Sequence, residues 1–185
     1  MRSRLLTALL VSLFATGAAA ATIEGVEFAD AYRTGDVTMK LNCVGLLRYL
    51  VVIKGYVAAL YLGDSATPAT VLSDVPKRLE LRYFYAIKGP DFGRAGDKVL
   101  AENIDAVTMA KLRPRLDRLN ALYEDVNPGD RYALTYVPGV GTELSKNGKA
   151  KGVIEGADFA AAYFSVWLGS KPLDESLRQQ LLACS

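Results

Sequence analysis

LLRYLVVIKGYVAALYL, residues Leu46 to Leu62, is the stretch on which the reading of this chain turns. It is rich in Val, Ile and Tyr, side chains that fit a pleated, buried surface. Lys54-Gly55 interrupts it near the middle, and glycine inside a strand pattern often marks a bulge. The run therefore predicts a bent strand or two consecutive strands. Its apolar density on both faces predicts a central place in a sheet, covered on each side.

Working outward, Ile23 to Phe28 and Val37 to Asn42 alternate apolar and polar residues, with Gly35-Asp36 as a turn before the second. Lys77 to Tyr85 (KRLELRYFY) alternates charge with Leu, Leu and Tyr, which predicts a strand with one wet face. Asp130 to Val137, Thr142 to Ser145 and Val153-Ile154 complete a meander, with Asn147-Gly148 as a tight hairpin turn and Gly139-Val140-Gly141 as another turn rather than a phosphate loop. Pro68 to Leu72 reads as a short helix. From Asp97 the period becomes helical (Val99, Leu100, Asn103, Ile104), and in a second helix Met109, Leu112, Leu116, Leu119 and Tyr123 share a face. Late helices are predicted from Asp158 to Leu168, stopped by Gly169, and from Asp174 to Leu182. Strands, helices, strands, helices in that order predict an α+β fold: a large, mostly antiparallel sheet with a helical layer packed on it.

The first twenty residues have the three parts of a secretory signal peptide: basic Arg2 and Arg4, an apolar run from Leu5 to Phe14, and small Ala18-Ala19-Ala20 before a cleavage point near Ala21. The apolar run is too short for a membrane-spanning helix, so a periplasmic or secreted protein without a stable membrane anchor is expected. The division is residues 1–20 as signal peptide and 21–185 as one domain. Cleavage leaves 20 Lys+Arg against 20 Asp+Glu, a neutral surface that gives nucleic acid no electrostatic footprint. No histidine is present, which removes His-based metal sites and imidazole bases; no metal or cofactor is expected. Cys43 and Cys184 admit two readings in an oxidising compartment, a disulfide tying the C-terminus to the core, or a buried thiol with a loose tail.

Three polar residues stand among apolar neighbours. Arg48 lies inside the most apolar stretch, where a buried guanidinium asks for an anion. It could equally point outward from the sheet or pair with an internal carboxylate. Tyr56, eight residues on, shares its face only if the strand is unbroken. Asn103 sits on the apolar side of its helix. Phe159, Tyr163, Phe164 and Trp167 recur along the late helix, as core or as the wall of a cleft.

The run Asn42-Cys43-Val44-Gly45-Leu46-Leu47-Arg48 followed by Lys54 to Leu62, with KVLAEN (98–103), FAAAYFSVWLG (159–169) and DESLRQQLL (174–182), resembles the chalcone-isomerase-like family, especially its bacterial exported members. The resemblance covers nearly the whole chain after the signal peptide. It implies an open-faced β-sandwich with a cleft between sheet and helices. In the plant isomerases the arginine matching Arg48 polarises a chalcone, and the asparagine matching Asn103 contacts it. Non-catalytic relatives hold a fatty-acid carboxylate with that arginine and a nearby tyrosine. Here Tyr56 stands in place of an isomerase threonine, Gly96 falls near a tyrosine, and Val166 replaces a serine or threonine. The resemblance thus implies a non-catalytic binder of a fatty-acid-like or other apolar carboxylate, with Arg48, Tyr56 and Asn103 as ligand-binding residues. The alternative is an isomerase, an intramolecular lyase, acting on a chalcone-like phenolic enone with Arg48 and Asn103 as catalytic residues. A third reading, a scaffold in an exported complex, would be favoured by an outward Arg48 and a filled cleft.

Overall fold

A computed structural model describes residues 21–49 and 53–184. The signal peptide expected over residues 1–20 lies outside them. The decisive run is two strands: β4 (Val37–Tyr49) and β5 (Ile53–Gly63), paired antiparallel. The chain reverses between them, before Lys54-Gly55 and not at it. Gly55 lies within β5, where a Cβ would sit 2.8 Å from Leu47 Cδ2, so its lack of a side chain makes room for the neighbouring strand.

β4 and β5 belong to a seven-stranded sheet with β3 (Ala31–Thr34), β6 (Lys77–Tyr83), β7 (Arg131–Val137), β8 (Gly141–Lys146) and β9 (Lys149–Ile154). The spatial order is the sequence order, and every adjacent pair is antiparallel. Alternation sorts β5 between two cores. Tyr56, Ala58, Leu60 and Leu62 face the helices, whereas Val57, Ala59 and Tyr61 face a smaller cluster closed by Val26 and Phe28 of the hairpin β1 (Ala21–Ile23) and β2 (Val26–Phe28). Both faces of β5 are buried, as its composition requires.

The charged face of β6 is less wet than its alternation predicts. Arg78 is only 6% exposed, lies 3.8 Å from the Tyr32 ring centre and donates to Thr135 Oγ1 at 2.7 Å. Glu80 accepts from Arg78 at 2.9 Å and from Arg131 at 2.6 Å, so these charges are paired under the β1–β2 hairpin.

Above the other face lie α1 (Gly89–Asn103), α2 (Ala106–Asn120) and α3 (Ala157–Leu168), with α4 (Glu175–Leu182) along β4. α1 begins eight residues before the predicted Asp97. Three glycines and a proline there imitate a loop, yet Pro90 suits a first helical turn, and a Cβ on Gly93 would meet Asn120 of α2 at 2.8 Å. α2 is capped by Asp105, whose carboxylate accepts from the Val107 and Thr108 amides. Past its first turn α3 is buried on nearly every side, only Ala161 being partly exposed, which is why its apolar pattern lacks a polar face. The predicted helix at Pro68 is a single 3-10 turn over Pro68–Thr70. Gly169 closes α3 with ordinary negative φ; its need for glycine is crowding, since a Cβ would lie 2.6 Å from Asn103 Oδ1.

β3 pairs with β4 only as far as Lys40, and beyond it α4 takes the open flank. Gln180 accepts from the Leu46 amide at 2.9 Å and donates to the Leu46 carbonyl at 3.4 Å, while Asn42 donates to the Leu181 carbonyl at 2.8 Å. A disulfide joins Cys43 to Cys184 across a Cα separation of 5.4 Å, within the usual range.

Candidate functional site

A cavity of about 200 Å³ lies between the inner face of the sheet and helices α1 and α3. Its floor is set by strand register: Tyr56 of β5 and Tyr83 of β6 are direct cross-strand partners with ring centres 5.5 Å apart in a T-shaped contact. Tyr132 of β7 continues the floor, 6.3 Å from Tyr83. Phe92 of α1 closes the roof, stacking on Tyr123 at 4.8 Å and meeting Tyr83 and Tyr132 edge-on at 5.6 and 5.4 Å. Tyr163 and Trp167, one helical turn apart on α3, supply the far wall.

Most of the polar atoms in this aromatic lining are satisfied internally. Trp167 Nε1 donates to the Tyr56 hydroxyl at 3.0 Å, and the Tyr123 and Tyr163 hydroxyls share a hydrogen bond of 2.8 Å. The Tyr132 hydroxyl accepts from the Glu124 amide at 2.7 Å and donates to the Glu124 carbonyl at 3.0 Å. Burial, which disfavours a phenolate, is the main cause holding Tyr56, Tyr83, Tyr123 and Tyr163 above the ordinary tyrosine pKa. These hydroxyls therefore stay neutral, and they act as donors or acceptors without a charge.

No arginine or lysine lines the cavity among the described residues; its one charged lining residue is Asp91, which pairs with Arg94 outside. Asp91 marks the mouth together with the exposed Ala95 and with Leu173, 43% exposed on the loop between α3 and α4. Gly96 lines the cavity from the middle of α1, and a Cβ there would meet Tyr163 at 3.6 Å, an ordinary contact. Crowding does not demand glycine at this position, and its absent side chain leaves space.

Of the residues singled out from sequence, Tyr56 lies in the cavity wall. Arg48 does not. Its side chain is 47% exposed beside Glu24, with Nη2 3.5 Å from one carboxylate oxygen while Lys54 Nζ lies 2.5 Å from the other. The even spacing of Arg48 and Tyr56 holds for an unbroken strand, but the chain reverses between them, and a register shift separates Leu47, opposite Tyr56, from Arg48, opposite Lys54. Leu47 packs with the helix-side core, so the carboxylate-binding pair expected from sequence is not assembled at this cavity. Arg48 borders instead a separate polar recess of about 250 Å³ with Glu24, Leu46, Asp174 and Gln180.

Asn103 is also directed elsewhere. Its amide donates to the Val99 carbonyl at 2.9 Å and the Lys171 carbonyl at 2.6 Å and accepts from the Lys171 amide at 3.1 Å. It clasps the α3–α4 loop to the end of α1 and is not part of the cavity lining. Phe159 and Phe164 are core, whereas Tyr163 and Trp167 line the cavity. Sequence reasoning missed Tyr83, Phe92, Tyr123 and Tyr132. Tyr83 could have been found from the Leu79, Leu81, Tyr83 alternation; Phe92 was hidden by the misplaced start of α1.

Residues 20–183 match the family described as chalcone isomerase-like. Among solved structures, the chain is similar to the crystal structure of an Arabidopsis thaliana fatty-acid binding protein, with a TM-score of 0.69 and 15% identity over 89% of this chain and 96% of that one. At that identity the likeness speaks for the fold. No curated protein matches the sequence.

Proposed function

Because this chain belongs to the chalcone isomerase-like family, we propose that it is an exported, non-catalytic binding protein that holds a fatty-acid-like, apolar molecule in the aromatic cavity. The observation that carries the reading is the cavity itself: seven aromatic side chains around about 200 Å³, with uncharged hydroxyls as its main polar groups. A cavity of roughly 150 Å³ in an apolar core takes up benzene, so this one has room for a ring or a short stretch of acyl chain. The partly exposed mouth at Leu173 lets a longer ligand emerge. The Arabidopsis protein of similar fold is named for fatty-acid binding, which supports the same ligand class. Export is supported by the signal-like residues 1–20 and by the Cys43–Cys184 disulfide, a bond that persists in oxidising compartments.

The enone-isomerase alternative needs Arg48 and Asn103 at the substrate, and neither lines the cavity. Mass spectrometry of organic extracts from protein purified out of its own compartment tests the reading. An apolar ligand in near-stoichiometric amount, on a polypeptide beginning at Ala21, is expected. A chain that retains residues 1–20 would refute export, and delipidated protein that takes up no apolar compound would refute binding.

A further inference from the structure

Among the cavity's tyrosines, Tyr83 is the exception. It is 4% exposed and lines the cavity, and its hydroxyl has no hydrogen-bond partner among the described residues, unlike those of Tyr56, Tyr123, Tyr132 and Tyr163. The Tyr83 hydroxyl opens onto the cavity and no protein group claims its proton, so it is available to an acceptor held inside. Its surroundings decide the kind of acceptor. The rings of Tyr56, Phe92 and Tyr132 pack edge-to-face around Tyr83, and among the described residues the sole charge on the lining is the Asp91 carboxylate at the mouth, itself paired with Arg94. An anion placed there would lose its hydration and gain no cation from the lining.

We infer that the ligand of this cavity is uncharged and carries a hydrogen-bond acceptor oxygen, such as a ketone, ester or protonated acid, and that Tyr83 donates to that oxygen. This inference rests on the binding reading above and narrows its ligand class: an acid would enter in its protonated form. The Tyr56 hydroxyl, which accepts from Trp167, lies across the strand pair and keeps its own proton free to add a second donor.

Three compounds of equal chain length separate the possibilities: octane, the methyl ketone octanone, and octanoate at neutral pH, each titrated calorimetrically into delipidated full-length mature protein. Octanone is expected to bind about fivefold or more tighter than either other compound, the size of one net hydrogen bond. Tyr83→Phe should bring octanone to the level of octane and leave octane unchanged. It removes one oxygen and no existing hydrogen bond, so an unchanged or raised melting temperature is expected. The ranking of the three compounds in the unmodified protein needs no variant. Equal binding of octane and octanone, or tightest binding of octanoate, would overturn the inference and leave apolar binding standing. Failure of all three to bind would overturn both.

Discussion

Replacing Gly96 by alanine should raise the stability of this protein and lower its affinity for an apolar ligand at the same time. Gly96 lies in the middle of α1, where glycine costs roughly 0.5–1 kcal/mol relative to alanine through the freedom it loses on folding. The new methyl would lie 3.6 Å from the Tyr163 hydroxyl and 3.7 Å from its ring, so no clash offsets the gain. For a domain of this size, a gain of about 1 kcal/mol corresponds to a rise of roughly 2–4 °C in Tm. The same methyl projects into the 200 Å³ cavity and takes space from the ligand. A displaced methylene is worth about 0.8 kcal/mol of burial, hence a loss of about fourfold in affinity. Gly96→Leu should lose far more affinity by filling the cavity. Urea denaturation of ligand-free protein and titration with octane measure the two effects separately. If Gly96→Ala melts lower, or if Gly96→Leu binds octane as well as the parent, then the open space beside Gly96 is not a ligand site and the argument for this cavity fails.

Cutting the clasp on the α3–α4 loop with Asn103→Ala should cost about 1–3 kcal/mol and speed hydrogen exchange at Lys171; unchanged exchange would show that the loop is held by other contacts. Reducing the Cys43–Cys184 bond frees a separation of 141 residues, for which the chain-entropy account gives a loss of up to about 5 kcal/mol, read as a fall in the urea midpoint with dithiothreitol. Lys77 is buried, its ammonium donating to the Ser73 carbonyl at 2.7 Å, and desolvation lowers its pKa to about 8, against the effect of Asp74. The unfolded chain, with the ordinary value near 10.5, then holds more protons than the folded one above pH 8, so stability should climb from about pH 8 to 10. Above pH 10 the buried tyrosines, whose pKa values are raised, reverse that slope, and Lys77→Met should remove the climb; a flat profile in the parent would refute it. Arg48→Ala should change octanone affinity by less than about twofold, because the guanidinium sits beside Glu24 and outside the cavity.

Alternation and composition made the sheet legible: Leu46 to Leu62 reads as a strand pair, and the Asn147-Gly148 turn marks the β8–β9 hairpin. The start of α1 was not legible, because the glycines at 89, 93 and 96 answer to tertiary neighbours and to an open cavity, neither of which leaves a local mark. The site was half legible. Tyr56 was singled out and lines the cavity, but the face of Arg48 depends on where the chain reverses and on a register shift, and one residue of slip moves a side chain across the sheet. Asn103 was recognised as unusual in an apolar setting, yet its partner is a backbone 68 residues away.

Gln180 answers both the amide and the carbonyl of Leu46, as the backbone of an eighth strand would, and it does so with a side chain that cannot pass the pattern on. α4 thereby ends the sheet. Without it, the flank of β4 beyond Leu41, whose amide still donates to the Asp30 carbonyl, would offer unpaired backbone groups on an apolar strand, a template for another copy. A chain cut before Glu175, or one whose disulfide fails to hold α4 in place, should therefore self-associate along that flank of β4.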